Sequence, residues 1–270
     1  MMKFAINYSK QAAQLVERGE IAIDYFKCPD WPGLVEEANR LRPVAVHFTL
    51  KAGSGRIQKT DWKLVEQLLR QTGTAYVNLH IAPESKDFPG IPVDTQCAEE
   101  YRAVIDRVIT DVQLVVNRFG ADRVIVENVP YRGKDGSILR PGVEPGAIHQ
   151  VLDETGCGLL LDISHARITA HRLGMDEHVY MAALPIDRLH ELHFTGLHNL
   201  HGYLQDHLPV LEADWPVLDW VQERIQRKEW SLPTMLAFEY GGVGEKFSWR
   251  SDMAVIAEQA PRLYQYAHAA

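Results

Sequence analysis

A length of 270 residues, with 46% hydrophobic and 24% charged side chains, fits one ordinary α/β domain over 1–270 and excludes disorder as the organising state. The 36 acidic against 28 basic residues give a net charge of −8, which disfavours a broad nucleic-acid footprint built on clustered Lys and Arg. No apolar run approaches the roughly 18 residues of a membrane span, and Cys28, Cys97 and Cys157 are far apart with no CxxC spacing, so the expectation is a cytoplasmic protein with no membrane partner.

From the N-terminus, strands are predicted near 3–8, 21–27, 43–50, 75–82, 123–129, 158–164, 189–196 and 234–240. They are rich in Val, Ile, Leu, Phe and Tyr, and several are nearly continuous apolar runs, as strands buried on both faces should be. Helical periodicity fills the intervals. Trp62, Val65, Leu68 and Leu69 share a stripe over 61–71. Over about 94–119, Tyr101, Val104, Ile105, Val108, Ile109, Val112, Val115 and Val116 follow the three-and-four spacing of one buried face. Asp214 and Pro216 open a helix near 215–227. Helix-to-strand links are short (71–74, 119–122, 155–158), while strand-to-helix links are long (83–94, 131–146, 197–213). Eight alternations with the long links on one side predict a (β/α)8 TIM barrel whose site sits at the C-terminal strand ends. An open doubly wound sheet is the weaker alternative, since no glycine-rich phosphate loop is present.

Those strand ends carry the chemistry. His47 closes AVH, His80 closes VNLH, Glu127 and Asn128 close VIVEN, Asp162 and His165 close LLLDISH, His193 sits in LHELH, and Glu239 closes MLAFE. One His at a strand end is usually a hydrogen-bonded polar residue. Six such ends in series point instead to metal, because imidazole and carboxylate are the ligands of borderline cations such as Zn, Fe and Mn. The candidate ligands are His47, His80, Glu127, Asp162, His165, His193, Asp206, His207 and Glu239, with Asp206 and His207 carried on the long 197–213 link. They exceed the needs of one ion and imply two or three, with Glu127 and Glu239 as bridging and catalytic carboxylates. Asn128 is a candidate for orienting a ligand or contacting substrate. His149, His171, His178 and His268 are expected on outer helices or at the terminus, and His190 and His201 in structural roles.

The segments HFTLKAGSG (47–55), ENVP (127–130), LLLDISHA (159–166), GMDEHVYMAALPIDRLHELHFTGLH (174–198), QDHLPV (205–210) and FEYGG (238–242) occur in a characteristic order and spacing. Together they resemble the multinuclear non-haem iron-dependent oxidative enzymes, the barrel family that includes methanobactin biosynthesis enzymes. The resemblance implies a xylose-isomerase-like barrel, two or three irons, and oxygen-dependent remodelling of a peptide cysteine, often with a partner protein presenting that peptide. It places His47, His80, Glu127, Asp162, His193, His207 and Glu239 at ligand positions. His165 stands where the family often has Asn, Asp206 is directly adjacent to His207 where one residue usually intervenes, and Gly241 stands where many members carry Asp. Two redox-neutral readings stay open, with Zn or Mn in place of Fe. One is a phosphodiesterase resembling the apurinic-site endonucleases, which share the same ligand ladder. The other is a sugar isomerase or epimerase, which shares the Glu-Asp-His-Glu core of the last four strands but does not need His47 and His80 as ligands. A peptide or small molecule is the expected substrate in the oxidative reading.

Overall fold

The structure is a computed structural model and describes residues 1–245 and 247–269. In chain order its elements are β1 (Lys3–Asn7), α1 (Lys10–Glu17), β2 (Tyr25–Pro29), α2 (Pro32–Asn39), β3 (Val44–His47), β4 (Leu50–Ala52), α3 (Trp62–Thr72), β5 (Val77–Ile81), α4 (Ala98–Phe119), β6 (Val124–Glu127), α5 (Pro145–Thr155), β7 (Gly158–Asp162), α6 (Ile163–Leu173), α7 (Glu177–Ala182), β8 (Leu189–Phe194), β9 (Gly196–Leu200), β10 (Tyr203–Leu208), α8 (Trp215–Gln226), β11 (Met235–Phe238) and α9 (Met253–Ala269). The chain forms two compact units, one of Met1–His47, Lys63–Ala75 and His190–Ala270, the other of Phe48–Trp62 and Tyr76–Leu189.

In the first unit the strands lie in the order β3-β2-β1-β11-β8, all parallel. Phe4, Ile6, Phe26, Val44, Leu192 and Phe238 are buried along them, the double-sided burial expected of a parallel sheet. Pairing sets Pro29 beside His47 and Ala237 beside His193, so the strands end at comparable heights. The second unit holds β7-β6-β5-β4, again parallel, with His80 paired to Glu127. Helix α4 covers this sheet through Val104, Ile105, Val108, Val112 and Val115, each buried and each contributing roughly 1.5–3 kcal/mol on removal from water.

Four expectations shift. The second strand sits at Tyr25–Pro29 rather than 21–27. The single strand expected over 43–50 is two, β3 and β4, one in each unit. Helix α4 starts at Ala98 instead of 94, after Cys97 in extended backbone. The link 197–213, read as loop, contains the antiparallel hairpin β9–β10. Its two-residue turn, His201-Gly202, has φ of 55° and 88°, the positive pair that a tight hairpin turn requires.

Helix α4 also carries a polar residue on its buried face. Asp111 accepts hydrogen bonds from the N–H groups of Gly53 and Gly55, both at 2.9 Å, and so fixes the turn after β4. Gly53 has φ 96°, and a Cβ there would lie 2.9 Å from Pro83, so glycine is required on both counts.

All three cysteines are free thiols, Cys28 and Cys157 buried and Cys97 exposed. Burial pushes the Cys28 thiol up to about 12 and the Cys157 thiol to about 11. Since the thiolate is the nucleophile, a disulfide reagent at neutral pH should label one thiol per native chain and three after unfolding. Fast labelling of a second thiol in the native protein would contradict the burial. Among the described residues no helix is long and apolar enough to cross a membrane.

Candidate functional site

In the first unit, His47, His193 and Glu239 each offer a ligand atom, and these atoms lie within 4.8 Å of one another. Parallel pairing produces this grouping: His47 is the last residue of β3, His193 the penultimate residue of β8, and Glu239 follows β11 directly. The His47 and His193 rings have centroids 5.3 Å apart. His193 is fully buried, its Nδ1 is 3.1 Å from Glu239 Oε1, and its Nε2 is 2.8 Å from Glu191 Oε1. Glu191 also accepts from the buried ammonium of Lys27. His207 contacts the same corner, its Nδ1 lying 2.8 Å from the backbone carbonyl of Glu239. Its φ of 55° falls at the irregularity of β10 between Gln205 and Leu208, and its N–H donates to Thr195 Oγ1. The neighbouring Asp206 is buried, with Oδ1 accepting from Gln205.

The second unit assembles His80, Glu127, Asp162 and His165. His80 Nε2 is 3.3 Å from Glu127 Oε2, and His165 Nδ1 is 3.4 Å from Glu127 Oε1 and 3.5 Å from Asp162 Oδ2. Asp162 ends β7 and caps α6, accepting the N–H of His165 on Oδ1 at 2.7 Å. His165 therefore sits in the first turn of a helix rather than on a strand. The Asn128 amide pairs on both sides with the Asp162 backbone, donating to its carbonyl and accepting its N–H, each at 2.9 Å. That pair of hydrogen bonds holds the ends of β6 and β7 at one height. A cavity of about 420 Å³ lies beside this cluster, with His80 and His165 in its wall, Ala82, Val129, Pro130 and Ile138 as its apolar lining, and Lys51 and Arg132 at its edge.

The ring hydrogen bonds bear on whether metal fits. A carbonyl oxygen can only accept, so the Nδ1 of His80 (to Leu50 O), of His165 (to Asn128 O) and of His207 (to Glu239 O) carries the proton, and the lone pair falls on Nε2. His193 is reversed, since its Nε2 faces the Glu191 carboxylate. Its Nδ1 is buried and makes no hydrogen bond among the described residues, although Glu239 Oε1 is close. A buried nitrogen and a carboxylate oxygen 3.1 Å apart suit two ligands of one cation once the imidazole gives up its proton, and a ligating His whose other nitrogen is held is the usual arrangement.

The electrostatics agree. Burial would push the His193 imidazolium down, but the carboxylates of Glu239 and Glu191 outweigh it and lift the group to about 10. Burial alone would raise Glu191, yet Lys27 and His193 hold it at about 2, and His193 with His47 and His207 holds Glu239 well below the usual carboxylate range. Ionised carboxylates are thus retained in a buried setting, and a bound cation would take the place of the His193 proton. The residues fit a metal.

Two contributors escape the sequence pattern, Lys27 and Glu191. Lys27 is a charge inside the buried strand YFKCP, and its partner lies 164 positions away. The outlying histidines fall away from both clusters: His178 is on α7 beside Asp176, His149 bonds the Ala183 carbonyl, and His268 stacks on Tyr264.

The chain is similar to several known proteins. A UPF0276 protein of Acaryochloris marina is 28% identical over 221 residues, 76% of this chain and 73% of that one. Among solved structures, an L-ribulose 3-epimerase superposes with a TM-score of 0.61 at 14% identity, covering 100% of this chain and 95% of that one. A xylose isomerase domain containing protein from Salmonella typhimurium LT2 gives a TM-score of 0.60 at 16% identity, covering 97% and 95%. At such identities the likeness concerns the fold. Residues 29–240 match the family model described as RiPP precursor modification enzyme MbnB/TglH/ChrH, and with the ligand-bearing strand ends inside that span the chain belongs to this family.

Proposed function

We propose that this protein is a multinuclear, iron-dependent oxidative enzyme acting on a cysteine of a peptide precursor or on another small thiol-bearing substrate. The observation that carries the reading is the set of imidazole and carboxylate ligands at the strand ends of a chain from a peptide-modifying family. His47, His193, Glu239 and His207 would hold metal in one unit, and His80, Glu127 and Asp162 in the other, with His165 (through Nε2) and Asp206 as further candidate ligands, for two or three ions in all. Iron held by these residues would supply affinity for a thiolate and redox chemistry with oxygen. The buried carboxylates offset the charge of the cations, and Glu127 and Glu239 are the carboxylates assigned to the catalytic step. Asn128, through the Asp162 backbone, holds the ligand strands in register. The cavity beside His80 and His165 would accommodate the substrate. A partner protein that presents the peptide belongs to the same proposal, and the likeness to the xylose isomerase domain protein supports a (β/α)8 framework of that type.

The test is oxygen uptake by anaerobically reconstituted ferrous protein on addition of a cysteine-bearing peptide. Consumption of oxygen with loss of the free thiol is expected, and no uptake with any thiol tried would sink the reading. Replacing Ile138 by Trp, which fills the cavity, should lower turnover at least about tenfold while metal content stays unchanged. A second reading, favoured by the likeness to the L-ribulose 3-epimerase, is redox-neutral isomerisation of a small sugar. Turnover of a ketose with manganese under strict anaerobiosis would select it.

A further inference from the structure

Lys27 occupies an unusual place. It lies in β2 between Phe26 and Cys28, both buried, and is itself 3% exposed. An ammonium buried in this way costs several kcal/mol unless it is paired. Its pair is Glu191, whose Oε1 accepts from Lys27 Nζ and from His193 Nε2 together. A single carboxylate oxygen therefore joins Lys27 to His193.

We propose that Lys27 is a positioning residue for His193: acting through Glu191, it decides which imidazole nitrogen is turned to the metal. The inference rests on the reading of His193 as a ligand. A carboxylate accepts and does not donate, so the nitrogen facing Glu191 keeps its proton, and it is Nδ1, 3.1 Å from Glu239 Oε1, that would exchange its proton for a cation. For His80, His165 and His207 the same selection is made by a backbone carbonyl, which is fixed by the chain. A side-chain carboxylate can rotate, and so the His193 arrangement needs a further anchor. Lys27 supplies it from β2, which β1 and β11 separate from β8 in the strand order. It also neutralises Glu191, so the outer carboxylate adds no net charge next to Glu239.

The experiment measures cobalt(II) binding to the full chain under anaerobic conditions, by competition with a chelator and from the visible spectrum of the bound ion. Lys27→Met and Glu191→Gln should each weaken binding roughly 10–100-fold and alter the spectrum, as loss of an outer hydrogen-bond partner does. In a His193→Ala background the same substitutions should weaken binding no further, because the residue they act through is gone. Wild-type affinity in both variants, or an equal loss with and without His193, would overturn the proposal. Should Lys27→Met fail to fold, the isosteric Glu191→Gln decides by the same criterion. If the wild-type chain binds no cobalt, the metal reading itself fails. If it binds and both variants match it, only the role of Lys27 fails.

Discussion

Replacing His193 or Glu239 by alanine is expected to lower the metal content and affinity of the protein, without abolishing binding, while leaving its circular dichroism spectrum that of the wild type. Both side chains sit at strand ends, and their ligand atoms share a 4.8 Å cluster with His47. The secondary structure is held elsewhere, by buried residues such as Phe4, Phe26 and Leu192 along the strands. Loss of a direct ligand should weaken metal binding by more than the roughly 10–100-fold typical of an outer partner. Thermal stability should fall for two reasons. The holoprotein loses the stabilisation that ligand binding gives the folded state. The metal-free variant is left with a buried charge whose partner is gone, which costs roughly 3–5 kcal/mol. Glu239→Gln, which keeps the shape, separates the two, since it removes charge with little loss of packing. His178→Ala, on α7, should change neither metal content nor stability. Full metal retention by the His193 variant, or metal loss by the His178 variant, contradicts the strand-end assignment.

Gly196→Ala is expected to be the most damaging single-methyl change in the first unit. A Cβ at Gly196 would lie 1.7 Å from the Pro209 carbonyl oxygen, 2.3 Å from its carbon and 2.8 Å from Val210 Cα. All three are backbone atoms, so no rotamer change relieves the contact. Gly196 pairs with Leu208 at the base of the β9–β10 hairpin, and the hairpin must open or shift to admit the methyl group. The cost should exceed the roughly 1–3 kcal/mol of ordinary overpacking, with Tm lower by at least about 5 °C. Because β10 carries Asp206 and His207, the variant should also bind metal less tightly. Gly146→Ala, near the start of α5 with nothing within 4 Å of the added Cβ, is the control and should leave Tm unchanged or slightly higher. An unchanged Tm for Gly196→Ala would show that the close approach to Pro209 is wrong.

The strand ends were legible in the sequence for a simple reason. In a parallel sheet buried on both faces the apolar run is continuous, so the first polar residue after it marks the tip, and His47, Glu127, Asp162 and Glu239 were read this way. Register brought them together without further information, as the pairing of His80 with Glu127 shows. The hairpin was missed because His198, Asn199, Gln205 and Asp206 make β9 and β10 look like loop. Its available signal was His201-Gly202, a two-residue turn between Leu200 and Tyr203. Asp111 was absorbed into the apolar stripe of α4, since periodicity cannot reveal a carboxylate that bonds to the distant Gly53 and Gly55 amides. Lys27 and Glu191 were invisible as a pair because 164 positions separate them. Lys27 alone, a charge within a buried strand, was the clue that something had to compensate it.

Metal content of protein purified without air, measured by elemental analysis per folded chain, tests the central claim most directly. The account predicts two or three equivalents in the wild type, with iron foremost, and a clear reduction in the His193 and Glu239 variants. A wild-type chain that folds, is reconstituted with ferrous iron, manganese and zinc in turn, and retains none of them would contradict it.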